Sequence, residues 1–198
     1  MEELDHYYGY VVYQHTFKSY TDDLRMRIID GRDRAKIYLD DQEIATQYQE
    51  EIGDEINLPT HSNDTHDLKI LMENMGRVNY GSKLQAETQQ KESVMGYFRY
   101  PFYQKWKHYC LNFEHLDLLN WENGYQSGPG FHEYIFEADE VKETFIDLEG
   151  FGKGVVFVNG HHCGRFYEAG PTLSLYIPGP FLKKGLIKLL FLKQKVLS

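Results

Sequence analysis

The sequence predicts an all-β chain arranged as two tandem jelly-roll β-sandwiches. Three observations predict it. Short alternating segments are separated by Gly, Pro, Asn and Asp, no amphipathic helix longer than two turns is visible, and one module occurs twice. The 198 residues suffice for two small cores, and the sixteen Tyr and twelve Phe suit strands. Aromatics also suit sugar-binding surfaces, but packing alone explains their abundance in strand-rich proteins.

The repeat is the most informative of the three. Residues 29–44 read IDGRDRAKIYLDDQEI and residues 148–163 read LEGFGKGVVFVNGHHC. They align without a gap: an apolar and an acidic residue, Gly31 or Gly150, a base at Arg34 or Lys153, then a strand and a tight turn. Under period-two alternation, Ile37 and Leu39 point to the same face as Val156 and Val158. The turns are Asp40-Asp41 and Asn159-Gly160, and Asn-Gly is the strongest short hairpin signal. At the same offset INLP at 56–59 meets LYIP at 175–178, and LKIL at 68–71 meets IKLL at 187–190. One register with no insertion is therefore expected throughout.

Strands follow in order at 9–14, 24–29, 36–39, 43–47, 55–58 and 67–73 in the first copy. The second copy has them at 131–137, 143–147, 155–158, 162–166, 173–177 and 186–193. Segments 1–8 and 179–184 have room for a short turn each. The expected domains are 1–111 and 112–198, with the boundary somewhere within 85–113. Part of that stretch is expected to complete the first sandwich.

A net charge of −9 argues against nucleic acid as a partner, because phosphate binding needs a clustered positive surface. Lys183, Lys184, Lys188, Lys193 and Lys195 are spread along an apolar strand and read as a solvated edge that discourages pairing. No segment approaches the roughly 18 apolar residues of a membrane helix, so no membrane partner is expected. The acidic start Met1-Glu-Glu-Leu is unlike a signal peptide and tilts the expectation to the cytoplasm, unless Met1 is internal to a longer protein. Cys110 and Cys163 are too few for a disulfide framework and are expected to be free, partly buried thiols.

Several segments, in order, carry a family likeness: YGYVVY at 8–13, LRMRIIDGRDR at 24–34, ENMGRVNYG at 73–81 and FIDLEGFGKGVVFVNG at 145–160. GRFY at 164–167, Gly170-Pro171 and LYIPGPFL at 175–182 continue it. Together they resemble the region that follows the barrel in family 35 glycoside hydrolases, the β-galactosidases. The resemblance implies two galactose-binding-like jelly rolls behind a catalytic (α/β)8 barrel. It also implies a parent that hydrolyses terminal β-D-galactosides with retention, using two carboxylates about 5 Å apart. In the family both carboxylates lie on the barrel, and these 198 residues are not expected to contain one. No catalytic residue is therefore assigned, and the chain alone is expected to be inactive, a support for the missing barrel that shapes its substrate pocket. A stand-alone carbohydrate-binding module and an oligomerisation domain are the competing readings. The sequence leaves the oligomeric state open.

His161, His162 and Cys163 are zinc-ligand types, but adjacent strand residues face opposite ways and no fourth ligand is evident, so neither metal nor cofactor is expected. Arg165 and Glu168 beside Phe166-Tyr167 read as a turn-closing pair next to core aromatics rather than a sugar platform. Trp106 reads as interdomain packing, and Trp121 is open between packing and binding. Tyr80 stands apart. It lies in a glycine-bracketed loop, 76–81, that the repeat does not require, and such loops are places for function. In the resembling family this segment approaches the sugar pocket. Tyr80 is thus the one candidate substrate-binding residue, forming pocket wall or else interdomain packing, with Arg77 and Asn79 holding the loop. Galactosides are expected to bind the isolated chain weakly at most.

Overall fold

The computed structural model describes residues 4–6, 9–29, 31–76, 80–81, 95–98, 105–124, 129–171 and 173–195, with the backbone alone at 95–98 and 194–195. The chain forms two compact units, Met1–Leu119 and Asn120–Ser198. Among the described residues each is built mainly from strands, with short 3-10 turns at Leu116–Leu118 and Gly179–Phe181.

The first unit holds β1 (Gly9–Lys18), β2 (Leu24–Ile29), β3 (Arg34–Leu39), β4 (Gln42–Tyr48), β5 (Ile56–Leu58), β6 (Thr65–Asn74), β7 (Met95–Phe98) and β8 (Lys107–Leu111). One sheet runs β4-β3-β6-β1-β8 and the other β5-β2-β7. Alternation decides which side chains enter the core. Met26 and Ile28 of β2 are buried while Arg25 and Arg27 are exposed, and Leu68, Ile70 and Met72 of β6 line one face. They meet Val11, Tyr13 and Phe17 of β1 and Ala35, Ile37 and Leu39 of β3 in one core. β7 and β8 come from the stretch expected to complete this sandwich, and they pair with β2 and β1.

The second unit holds β9 (Gly130–Ala138), β10 (Thr144–Asp147), β11 (Lys153–Val158), β12 (His161–Tyr167), β13 (Ser174–Ile177) and β14 (Gly185–Lys195). Its sheets run β12-β11-β14-β9 and β10-β13. The strand order β4-β3-β6-β1 of the first unit recurs here, so the repeat is a repeat of topology. The hairpins β3-β4 and β11-β12 also share a bulge, between Ile37 and Tyr38 in one and Val156 and Phe157 in the other. Both turns have positive φ at their two central positions, 50° and 66° at Asp40 and Asp41, 48° and 85° at Asn159 and Gly160. This is the hairpin geometry that Asn, Asp and Gly tolerate. Gly154 is required for another reason: a Cβ there would lie 1.9 Å from the Leu192 carbonyl oxygen.

Three expectations are corrected. The ungapped register fails on both flanks of the hairpin. Ile37 lies opposite Ile70, but Val156 lies opposite Phe191, not Leu189, so β14 is displaced by two residues. Likewise Met26 lies opposite Ile56, and Leu175, the counterpart of Ile56, lies opposite Ile146, one residue later than the alignment gives. A two-residue step preserves the buried face, which is why the sequence pattern does not betray it. Second, the lysines of β14 do not mark an edge. β14 lies between β11 and β9, and Lys188 pairs with Glu133 while lying 5.6 Å from the centre of the Trp121 ring. Third, Cys110 is exposed and only Cys163 is partly buried, although both thiols are free.

Candidate functional site

The loop that carries Tyr80 rises from the end of β6, and its base is tied down. Glu73 pairs with Arg34 at 3.6 Å with both side chains almost fully buried. The Met75 N–H donates to Asp33 Oδ2 at 2.6 Å, and the Gly76 N–H donates to Asn74 Oδ1 at 2.8 Å. Gly76 and Gly81 take φ of 87° and 110°, a region that suits glycine. Tyr80 between them is 91% exposed. An exposed aromatic ring can stack against a ligand or partner without any cost in core packing. Arg77 and Asn79 lie outside the described residues.

A second constellation escaped the sequence reading. A pocket of about 510 Å³ opens at one end of the first sandwich, lined by Leu39, Asp40, Gln42, Ile44, Pro59, His61, Asp64, Thr65 and His66. His66 projects from β6 and is almost fully buried, with Nδ1 at 2.7 Å from Asp40 Oδ2. The His61 N–H donates to His66 Nε2 at 3.4 Å. The ring is thereby held at both nitrogens, Nδ1 against the Asp40 carboxylate and Nε2 against a backbone N–H. Asp40 Oδ1 accepts from the Asp67 N–H at 2.8 Å. Burial alone would raise the Asp40 carboxyl, but the Asp67 N–H and the His66 ring hold it below its ordinary value. The available signal was a histidine at a buried position of a repeated strand, hidden by the register shift.

The remaining candidates do not converge. His161 stacks on Phe181, with ring centres 4.4 Å apart, while His162 lies 5.1 Å from the Phe157 ring. Burial pushes the Cys163 thiol up, away from the thiolate a metal would want. Among the described residues no three His, Cys, Asp or Glu side chains are grouped to hold a metal ion. Phe166 is buried against Phe151, and Lys153 Nζ lies 4.7 Å from the centre of the Tyr167 ring. Trp106, expected between domains, packs on the first unit's own core, 5.2 Å from His15. Trp121 remains 43% exposed beside Tyr134 in a pocket of about 330 Å³. No described helix is long and apolar enough to cross a membrane.

Comparison with known proteins gives a consistent result across both units. The family model described as "Beta-galactosidase, first all-beta domain" matches residues 1–112, and "Beta-galactosidase, galactose-binding domain" matches 129–186. Among curated relatives, "Beta-galactosidase 1" of Dictyostelium discoideum is 29% identical over 93% of this chain and 31% of its own length. "Beta-galactosidase-1-like protein 3" of Homo sapiens is 32% identical over 88% of this chain and 27% of its own. "Beta-galactosidase" of Xanthomonas manihotis is 26% identical over 89% and 29% respectively. The chain thus spans about a third or less of the length of these relatives.

Proposed function

The chain belongs to the β-galactosidase family, and we propose that it serves there as a non-catalytic β-sandwich region that supports a catalytic barrel and shapes its sugar pocket. The observation that carries this reading is the pairing of two matched domains, both all-β, with relatives about three times longer. On this reading the parent protein hydrolyses terminal β-galactosides, and the hydrolytic carboxylate pair lies outside these 198 residues. Tyr80 forms part of the wall facing the substrate. Its exposure supports that role, because stacking on a sugar needs an uncovered ring.

A chimera tests this. The chain replaces the matched region of the Dictyostelium relative, and hydrolysis of an aryl β-galactoside is compared with that of the chimera lacking it. The chimera is expected to be active, and the isolated chain inactive. Tyr80→Ala in the chimera lowers kcat/KM by roughly tenfold, near 1.4 kcal/mol, with Tm unchanged. Hydrolysis by the isolated chain that vanishes when one of its own carboxylates is mutated overturns the non-catalytic reading. An unchanged kcat/KM in the Tyr80→Ala chimera removes Tyr80 from the wall. Micromolar binding of galactose by the isolated chain moves the assignment to a carbohydrate-binding module.

A further inference from the structure

The pocket around His66 is not required by the fold, and the second unit shows why. Phe17 lies opposite His66 in the first unit, and its counterpart Phe136 lies opposite Ile187 in the second. The position that holds a buried imidazole in one copy therefore holds a fully buried isoleucine in the other. The turn position of Asp40 is taken by Asn159, whose side chain donates to the Phe181 carbonyl at 2.8 Å and accepts from the Lys188 N–H at 3.0 Å. The Gln42 position is taken by His161, and Phe181 stacks on it. One copy has packed this end with a ring and an amide. The other keeps an oriented His–Asp pair at a pocket.

We infer that this pocket binds a neutral pyranose sugar. The lining carries the argument. Neither lysine nor arginine is among the described lining residues, while Asp40 and Asp64 are, so phosphates and other anions are disfavoured. A volume of about 510 Å³ falls within the usual range for small-ligand sites. Leu39, Ile44 and Pro59 offer apolar contact to the C–H groups of a sugar ring. Asp40, Gln42, Asp64 and Thr65 supply acceptors and donors in the mixture that vicinal hydroxyls require. Asp40 is half exposed and remains ionised, so it has lone pairs left for a hydroxyl after its bonds to His66 and Asp67. The described lining residues include no Phe, Tyr or Trp ring to stack on, so the affinity is low, with Kd of about 1 mM.

This site is separate from Tyr80, and its test does not depend on the reading above. Amide NMR of the whole chain titrated with methyl β-D-galactoside gives saturable shifts at Asp40, Gln42 and Thr65. The double variant His66→Ile with Asp40→Asn, which copies the residues of the second unit and so keeps a foldable strand and turn, weakens binding at least tenfold. Gln42→Ala with Asp64→Ala, both at the pocket rim, does the same, and Tyr80→Ala leaves the titration unchanged. A non-saturating response, an affinity indifferent to both double variants, or tighter binding of putrescine than of the glycoside overturns the inference.

Discussion

The face of β3 turned away from the core carries Arg34, Lys36 and Tyr38, whereas the same face of β11 carries Lys153, Val155 and Phe157. In the first unit the charges are covered and matched, Arg34 with Glu73 at 3.6 Å and Lys36 Nζ with Glu43 Oε2 at 2.6 Å. Burial alone would raise the Glu43 carboxyl, but its bonds to Lys36 and Thr46 hold it down. In the second unit Val155 and Phe157 are buried without any such pairing being needed. The core face, by contrast, is apolar in both, with Ile37 and Leu39 answering to Val156 and Val158. The backbone pairing thus tolerates either chemistry on one face and only one chemistry on the other. What it does not tolerate is half of a buried pair, because a lone charge there loses its hydration without compensation.

Glu73→Gln is the strongest way to break this comparison. It leaves the Arg34 charge buried and is expected to cost about 3–5 kcal/mol in urea denaturation. Arg34→Leu combined with Glu73→Leu recovers most of that loss, since two apolar residues of similar size leave nothing unpaired. A Glu73→Gln chain as stable as the parent shows that the pair contributes nothing to folding. The register shift offers the next test. Phe191, not Leu189, is the counterpart of Ile70, so Phe191→Ala and Ile70→Ala should each cost about 2–5 kcal/mol. Half-buried Leu189→Ala should cost less than either, and the reverse order restores the ungapped alignment.

Smaller effects come from the turns. Asn159→Ala removes two hydrogen bonds and places alanine at positive φ, an expected loss of about 1–2 kcal/mol measured as a lower midpoint of unfolding. The smallest effect is the pH dependence of Asp40. Its carboxyl is held below the ordinary value in the folded chain, so the stability it contributes is complete above the unfolded pKa of about 4 and is lost as pH falls through the folded one. A Tm–pH curve for Asp40→Asn is expected to converge on that of the parent at low pH and to lie below it at neutral pH. Parallel curves would remove the carboxylate from the balance.

Much of the fold was legible because the period-two pattern is strong where one face is buried. β2 matches its expected limits, and β3, β4, β11 and β12 were found within two residues at each end. β7 and β8 were not placed as individual strands. The segment of β8, Lys-His-Tyr-Cys-Leu, is exposed at every residue and has no apolar face to announce it. The displacement of β14 was invisible for a different reason: LLFL at 189–192 is as apolar as IKLL at 187–190, and a step of two leaves the inward face intact. Aligned glycines also conceal different causes. A Cβ on Gly31 would come within 2.8 Å of the Ile28 side chain, whereas Gly150 sits at φ 81°. As for the sites, Tyr80 stands exposed in the loop that the repeat singled out. The His66–Asp40 pair is 26 positions apart in sequence and becomes a pair only through the β3-β6 register.

The bulged hairpin has a consequence for engineering. β3-β4 and β11-β12 agree in strand limits, in turn position and in the place where one strand carries an extra residue. A bulge fixes local twist and pins the pairing, so the two hairpins are interchangeable cassettes whose ends meet the rest of the sheet at equivalent points. Transplanting 153–167 into the place of 34–48 exchanges Lys36 and Tyr38 for Val155 and Phe157 without moving the frame, and Glu73 is kept because Lys153 arrives at the buried position of Arg34. β6 and β14 allow no such exchange, since their joints to the hairpin are out of step by two residues. Duplication has left this molecule with one standardised part and one fitted part.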